Sequence, residues 1–377
     1  MPESLRIVQV APFYEPVKGG VEEVVRKISE YMASRGHEIH VVTYNRLRAG
    51  GVGSLPKDEV INGVHVVRLR PRLTWSHGSY SPELPEVLRG LRPDVVHVHV
   101  WRHPHAFQVT MLKKEAGFKA VLHGHSPFHR LSQLGPAVWV YHRLADAVAR
   151  GYLRSFDAYV ALTRHEAAKV KSLGVEEDKV KVIPNGVERD ECGASLDSKV
   201  EGQVLYLGRV SRAKNLPLLL KAIRLASREL RGLRLVVAGP DEGLARGLIE
   251  YSRRHGIRVE YLGEVSEADK HRLYSESEAY ALPSLYEPFG IALLEAGAHM
   301  TPSVITGDGG QLEAAPPGVA SLWAEPRPEA YSEALVRLLT DGDLRRRLAE
   351  GARKVAEAHE WGKILPRYDE LYRALAG

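Results

Sequence analysis

Two carboxylates eight residues apart, Glu287 and Glu295, bracket the stretch Ser284-Leu-Tyr-Glu-Pro-Phe-Gly-Ile-Ala-Leu-Leu-Glu295. Pro288 and Gly290 between them let the chain turn tightly into a helix whose first amides have no partner within the helix. Such a terminus suits a phosphate or diphosphate, because unpaired N–H groups and the positive end of the helix dipole converge there. At a rise of about 1.5 Å per residue, even a fully helical spacing holds the two carboxylates about 12 Å apart. Acid and base acting on one bond need about 5–10 Å. The spacing instead suits hydroxyls at the two ends of one long ligand with phosphates between them. A nucleotide-sugar has that shape.

Gly208 closes an apolar strand and Asn215 begins an amphipathic helix at Leu216-Pro217-Leu218, which places Arg209 and Lys214 on the loop between them. A doubly wound domain binds its ligand at this carboxyl end of the strand. Arg offers phosphate a planar fork and Lys a mobile point charge. With the helix opened by Gly290, both cations could hold a diphosphate as its leaving oxygen gains charge, a lowering of the barrier. The same charges also read as an ordinary solvated loop. Glu295 is placed to accept from ribose hydroxyls and Glu287 from a hydroxyl of the transferred sugar. Gly307-Asp308-Gly309-Gly310 follows a strand and either approaches that sugar or forms a plain glycine turn.

Gly19 and Gly20 follow the first strand and precede a helix, so they serve either ligand approach or a structural turn. His123 ends the strand Lys119–Leu122, as a ligand-facing group or a partner for backbone. Seven histidines crowd one region: His97, His99, His103, His105, His123, His125 and His129. His97 and His99 share one face of a strand, a spacing that can ligate zinc. No nearby Cys or carboxylate completes such a set, so no metal is expected. With Arg102, Lys113, Lys114 and Arg130, the same region could greet an anionic acceptor instead. Asp341-Gly342-Asp343 matches a diphosphate–metal motif but precedes Leu344-Arg345-Arg346 between two amphipathic helices, and reads as a helix cap.

These groups need a scaffold. Short Val- and Ile-rich runs alternate with longer amphipathic segments, the pattern of βα units on a parallel sheet. In the first half, strands fall near 5–11, 38–44, 64–69, 94–100, 118–123, 157–161 and 179–183, with helices near 21–35, 104–116, 136–150 and 164–172. In the second half, strands fall near 203–207, 234–238, 258–262, 279–282, 302–305 and 319–322, with helices near 215–230, 242–255, 267–275, 290–299 and 328–340. The polar, aperiodic stretch 188–202 reads as a linker. The fold class is therefore α/β, with two doubly wound parallel-sheet domains facing across a cleft, residues 1–187 and 188–360. Segments 46–60 and 71–93 read as irregular loops that would recognise the acceptor.

A chain of 377 residues accommodates two such domains, and 44% apolar with 26% charged residues is ordinary for a soluble protein. The single Cys192 forms no intramolecular disulfide. No secretion signal and no apolar run of about 18 residues stand out, so a cytoplasmic location is expected. A net charge of +5 suits an anionic partner, but the basic residues are interleaved with acidic ones and no nucleic-acid motif appears. A peripheral membrane contact through the first half stays open.

Taken in order, Gly19-Gly-Val-Glu22, His123-Gly-His125, Ile183-Pro-Asn-Gly-Val187, Gly208-Arg-Val-Ser-Arg-Ala-Lys-Asn215, Ala238-Gly-Pro240, Tyr261-Leu-Gly263 and Glu287-Pro-Phe-Gly…Glu295 span nearly the whole chain. This ordered set resembles the GT-B glycosyltransferases, specifically the retaining group called family 4 with its Glu-x7-Glu motif. The resemblance implies two Rossmann-like domains, residues 1–187 for the acceptor and 188–360 for the nucleotide-sugar, with a helix at about 361–377 packing back on the first. It implies hexosyl transfer from a UDP- or GDP-sugar to an acceptor hydroxyl (of a sugar, or a lipid-linked or phosphorylated molecule), with no cofactor and no metal. On that resemblance Glu287, His123, Arg209 and Lys214 are catalytic. Gly19, Gly20, Phe289, Gly290, Ile291 and Glu295 contact donor or substrate, with the amides of Phe289, Gly290 and Ile291 near sugar and phosphates. Departure of diphosphate through an oxocarbenium-like state follows from the resemblance alone. An epimerase or phosphorylase of the same architecture is the alternative. After Glu295 the chain reads Ala-Gly-Ala-His-Met-Thr-Pro, with Met300 where the family pattern carries no side chain.

Overall fold

The computed structural model describes residues 4–48, 51–75, 78–125, 128, 136–188 and 195–377. Its contacts divide the chain into two units, Met1–Asn185 with Gly362–Gly377, and Gly186–Trp361.

The first unit runs β1 (Arg6–Val10), α1 (Gly20–Ser34), β2 (Glu38–Tyr44), β3 (Asp58–Ile61), β4 (Val64–Leu69), β5 (Leu73–Trp75), β6 (Gly78–Tyr80), α2 (Leu84–Leu91), β7 (Val95–His99), α3 (Pro104–Ala116), β8 (Lys119–His123), α4 (Pro136–Leu153), β9 (Ala158–Ala161), α5 (Arg164–Ser172) and β10 (Val180–Val182). The sheet order is β10-β9-β8-β7-β1-β2-β4-β3, parallel throughout except for the β3–β4 edge pair. Central strands such as β7 and β9 are buried along their whole length, because helices cover both faces of a parallel sheet. Val8, Val10, Val96, Val98, Leu122 and Trp101 lie in its core. The segments read as irregular loops are partly regular: 71–93 carries the antiparallel β5–β6 pair and α2, and 46–60 carries an Arg46–Val52 bridge and the start of β3. Leu73 and Trp75 on β5 are exposed, so no burial pattern announces the strand.

The second unit runs β11 (Val200–Leu207), α6 (Leu216–Ala226), β12 (Arg234–Ala238), α7 (Ala245–His255), β13 (Arg258–Tyr261), α8 (Glu267–Glu276), β14 (Ser277–Leu282), β15 (Tyr286–Glu287), α9 (Ile291–Ala298), β16 (Ser303–Ile305), β17 (Asp308–Gly309), α10 (Gln311–Ala314), β18 (Ser321–Trp323), α11 (Pro328–Thr340) and α12 (Gly342–Ala358). Its sheet order is β13-β12-β11-β14-β16-β18, parallel in every pair. In both units the strand order reverses beside the first strand, at β1/β7 and at β11/β14. A doubly wound sheet leaves a crevice at the carboxyl ends of such a pair. The chain then passes through α13 (Trp361–Ile364) to α14 (Pro366–Ala376), which belongs to the first unit. Tyr372 on α14 meets Gln9 Nε2 at 3.1 Å and His97 Nδ1 at 2.6 Å.

Among the described residues no helix is long and apolar enough to cross a membrane. Cys192 and most of the expected linker lie outside the described residues.

Candidate active site

The second unit gathers its expected site residues at the β11/β14 reversal. Gly208, with φ 156°, leaves β11, and a Cβ on neighbouring Gly239 would stand 2.1 Å from the Gly208 carbonyl. The two strand ends can approach this closely only because residue 239 is glycine. Beyond Gly208, Tyr206 Oη donates to the Arg209 carbonyl at 2.7 Å and fixes the loop. The Arg209 side chain is half exposed and pairs with Glu242 at 2.7 Å, a partner the sequence reading did not assign. Lys214 ends a single 3-10 turn, and Asn215 (φ 52°) turns the chain into α6.

From the neighbouring strand, the segment after β14 brings in the first carboxylate. Glu287 lies in β15, which pairs with β17 so that Glu287 faces Gly309. Lys214 Nζ donates to Glu287 Oε1 at 2.6 Å, with side chains 20% and 8% exposed. A cation and an acid 73 residues apart therefore share one site. Phe289 is buried, and Gly290 (φ 99°) caps α9 without any side-chain acceptor and with no acid in the first turn. That left-handed backbone needs glycine, and the opening amides of Ile291 and Ala292 are not claimed by a capping side chain. A helix end of this kind favours an anion.

Glu295 sits on α9, where Lys270 Nζ donates to it at 2.9 Å and Tyr274 Oη at 3.0 Å. Burial, and then the Glu295 charge, push the Tyr274 phenol well above its usual range, so it stays a donor. Burial opposes the Lys270 charge, but Glu295 and Glu267 outweigh it and hold its pKa above the ordinary value. Lys270 and Tyr274 were missed. Their i,i+4 spacing on α8 places both on one helix face, the only sequence signal for them.

Gly307–Gly310 resolves towards structure. A Cβ on Gly307 would lie 2.1 Å from the Leu285 carbonyl, and one on Gly310 would lie 2.2 Å from that of Pro288. These glycines let the β17 turn press against the segment carrying Glu287. Asp341 caps α12 by accepting from the Leu344 amide at 2.9 Å, and Asp343 follows in the first turn, as a cap reading requires. Met300 takes a left-handed conformation (φ 53°) in spite of its side chain.

In the first unit Gly19 and Gly20 are exposed at the start of α1. A Cβ on Gly19 would meet the ends of Glu22 and Arg48, which pair at 2.7 Å. His123 is fully buried. Its ring stacks on His125 with centroids 3.9 Å apart and also neighbours His97, His99 and Tyr368. It is the last residue of β8, as expected, and the rings packed around it belong to its own unit. Of the expected basic patch, Arg102 is engaged by Asp146 at 2.7 Å and Lys113 by Asp157 at 2.8 Å. Those charges are neutralised internally, which leaves Lys114 exposed; His129 and Arg130 lie outside the described residues.

Residues 193–355 match the family model for glycosyl transferases group 1, and residues 18–191 match that for glycosyltransferase family 4. An uncharacterized glycosyltransferase of Methanocaldococcus jannaschii is 29% identical over 400 aligned positions, covering 98% of each chain. Among solved structures, a sucrose-phosphate synthase from Thermosynechococcus elongatus superposes with a TM-score of 0.79 at 21% identity, over 98% of this chain and 99% of the other. An Anabaena protein in complex with UDP and glucose gives 0.77 at 18% identity, over 98% and 100%.

Proposed function

The chain belongs to the group 1, family 4 glycosyltransferases of GT-B fold, and from that premise we propose that it is a retaining hexosyltransferase acting without a metal at the diphosphate. The donor is a UDP- or GDP-sugar and the acceptor a hydroxyl, with the reaction taking place in the cytoplasm. The observation that carries the reading is the meeting of Lys214, Glu287 and the uncapped start of α9 at one strand reversal.

The residues divide the work by charge. The amides at the start of α9 and the Lys214 and Arg209 cations take the diphosphate. As the bond to the sugar breaks, negative charge grows on the leaving oxygen, and cations already in place stabilise it with little reorganisation. Glu287 orients Lys214 and accepts from a sugar hydroxyl. Glu295, steadied by Lys270 and Tyr274, accepts from the ribose. Proton removal from the acceptor falls to the departing diphosphate oxygen.

The Anabaena neighbour holds UDP and glucose, which makes UDP-glucose the first donor to test. The experiment is a donor screen that follows released nucleotide with and without acceptor alcohols and with EDTA present. Acceptor-dependent release that persists in EDTA supports the proposal. Product formed without any acceptor, or only with inorganic phosphate, would replace transfer by epimerisation or phosphorolysis.

A further inference from the structure

The ends of α8 and α9, the helices that carry Tyr274 and Glu295, meet at one partly buried cation of the second unit. Lys199, the residue before β11, donates to the His299 carbonyl at 2.9 Å, the Thr301 hydroxyl at 2.6 Å and the Tyr274 carbonyl at 3.2 Å. The Thr301 hydroxyl gives its own proton to the Tyr274 carbonyl at 2.7 Å, so it meets Lys199 as an acceptor. All three ammonium protons are thereby placed. Tyr274 lies in the last turn of α8, and His299 is the residue that closes α9. Carbonyls at a helix end lack partners within the helix and carry the negative end of its dipole, so one cation between two such ends holds both. A second tie runs alongside. His299 Nδ1 faces the Glu295 carbonyl at 2.7 Å and donates to it, which in a neutral imidazole leaves Nε2 to accept from His271 Nδ1 of α8 at 2.9 Å. The residues clamped are the ones that matter for the ribose anchor. Tyr274, whose carbonyl Lys199 takes, is the residue whose hydroxyl reaches Glu295 at 3.0 Å, and His299 stands about one helical turn beyond Glu295.

We propose that Lys199 is a positioning residue for the nucleotide end of the donor: by clamping the ends of α8 and α9 together, it fixes the offset at which Lys270 and Tyr274 meet Glu295. The proposal rests on the reading of Glu295 as the ribose acceptor. Lys270 Nζ holds Glu295 Oε1 at 2.9 Å and Tyr274 Oη holds Oε2 at 3.0 Å, so α8 orients the carboxylate through both oxygens. A slide of α8 against α9 by about 1 Å takes bonds of that length past hydrogen-bonding distance and lets the carboxylate turn away from the ribose. Burial lowers the Lys199 pKa to about 7, with Glu278 acting against the shift, while the three acceptors all favour the charged form. Packing alone does not call for a cation here, because methionine fills a similar volume without desolvating a charge.

The test measures binding of UDP, with GDP as a second probe, to the full chain by titration calorimetry at a pH on the charged side of about 7. Lys199→Met keeps the length of the stem and removes the three donors. Confirmed folded by circular dichroism and melting, it should weaken nucleotide binding about tenfold, and raise the donor KM alike with kcat within about threefold. Thr301→Val, a milder cut at the same clamp, should weaken binding about threefold. Introduced into Glu295→Ala, each change should cost less than about twofold, because the group it positions is gone. A clamp that only stabilised the fold would lower the melting temperature in both backgrounds and leave binding alone. Equal weakening with and without Glu295, or none in either folded variant, overturns the proposal and leaves the donor reading in place. A wild-type protein that binds neither nucleotide removes that reading, and this proposal falls with it.

Discussion

Replacing Lys214 by Met tests whether the Lys214–Glu287 pair is a catalytic device or merely an internal counter-ion. At 2.6 Å and an effective dielectric of about 20, the gross attraction is about 6 kcal/mol. Desolvation offsets much of it, since the side chains retain only 20% and 8% exposure. Lys214→Met leaves the Glu287 charge enclosed without its partner, so unfolding free energy should fall by about 2–3 kcal/mol. Glu287→Gln strands the more exposed cation and should cost about 1–2 kcal/mol. The double variant should be more stable than the sum of the two losses predicts, by about 1–2 kcal/mol of coupling. Urea denaturation followed by fluorescence and circular dichroism gives all four corners of the cycle. Transfer should respond differently. Removing a donor aimed at developing charge lowers kcat/KM by about 10²–10³-fold, and neutralising Glu287 as well should not restore it. If the double variant recovers near-wild-type transfer, Lys214 only balances Glu287 and the catalytic assignment fails. Coupling near zero would refute the pairing itself.

Tyr274→Phe removes one of two donors to Glu295 and should raise KM for the donor about 5–20-fold with kcat within about twofold, because the contact serves binding in ground and transition states alike. A fall in kcat at constant KM would reject that role. Met300→Gly relieves a left-handed backbone and should stabilise the protein by about 0.5–1 kcal/mol in thermal unfolding; unchanged or lower stability would show that the Met side chain offsets the strain. Burial depresses the His105 pKa to about 4, from an ordinary 6.5, while its ring faces the His99 carbonyl, the His103 ring and the Tyr44 ring. Between those values the unfolded chain takes up a proton that the folded chain refuses. Stability is therefore lost as pH falls through 6.5 towards 4, about 2 kcal/mol of it from His105 at pH 5. His105→Gln should flatten the change in urea midpoint between pH 7 and pH 5 by that amount; an unaltered slope would place His105 outside the titration.

The sheets were legible because burial on both faces writes a strand as a continuous apolar run. The runs at 38–44 and 64–69 coincide with β2 and β4, and the amphipathic segments at 104–116 and 328–340 with α3 and α11. The elements that escaped lack that imprint. β5 is exposed, and β15 and β17 are two residues each, held by the backbone they meet. At the candidate site the charged residues stood out by type, and their pairing did not. Nothing near Lys214 in sequence announces Glu287 as its partner, and Arg102 and Lys113 looked available until Asp146 and Asp157 closed on them. Glycines were ambiguous for a similar reason: Gly310 looks the same in sequence whether a ligand or the Pro288 carbonyl occupies the space beside it. Spacing reports the face a residue occupies. What lies opposite that face is set by the tertiary fold.

Because α14 supplies Tyr372 to strands β1 and β7, the first unit is discontinuous in sequence, with the whole of Gly186–Trp361 inserted ahead of its closing helix. A ribosome therefore delivers the segments in an order that differs from the order of completion. The second unit has every residue it needs while the first still waits with Gln9 and the β7 histidines uncovered. That exposed, strand-rich intermediate is the species a chaperone would meet during synthesis. A released chain ending at Trp361 should accordingly show a protease-resistant second unit beside a first unit that is still cleavable.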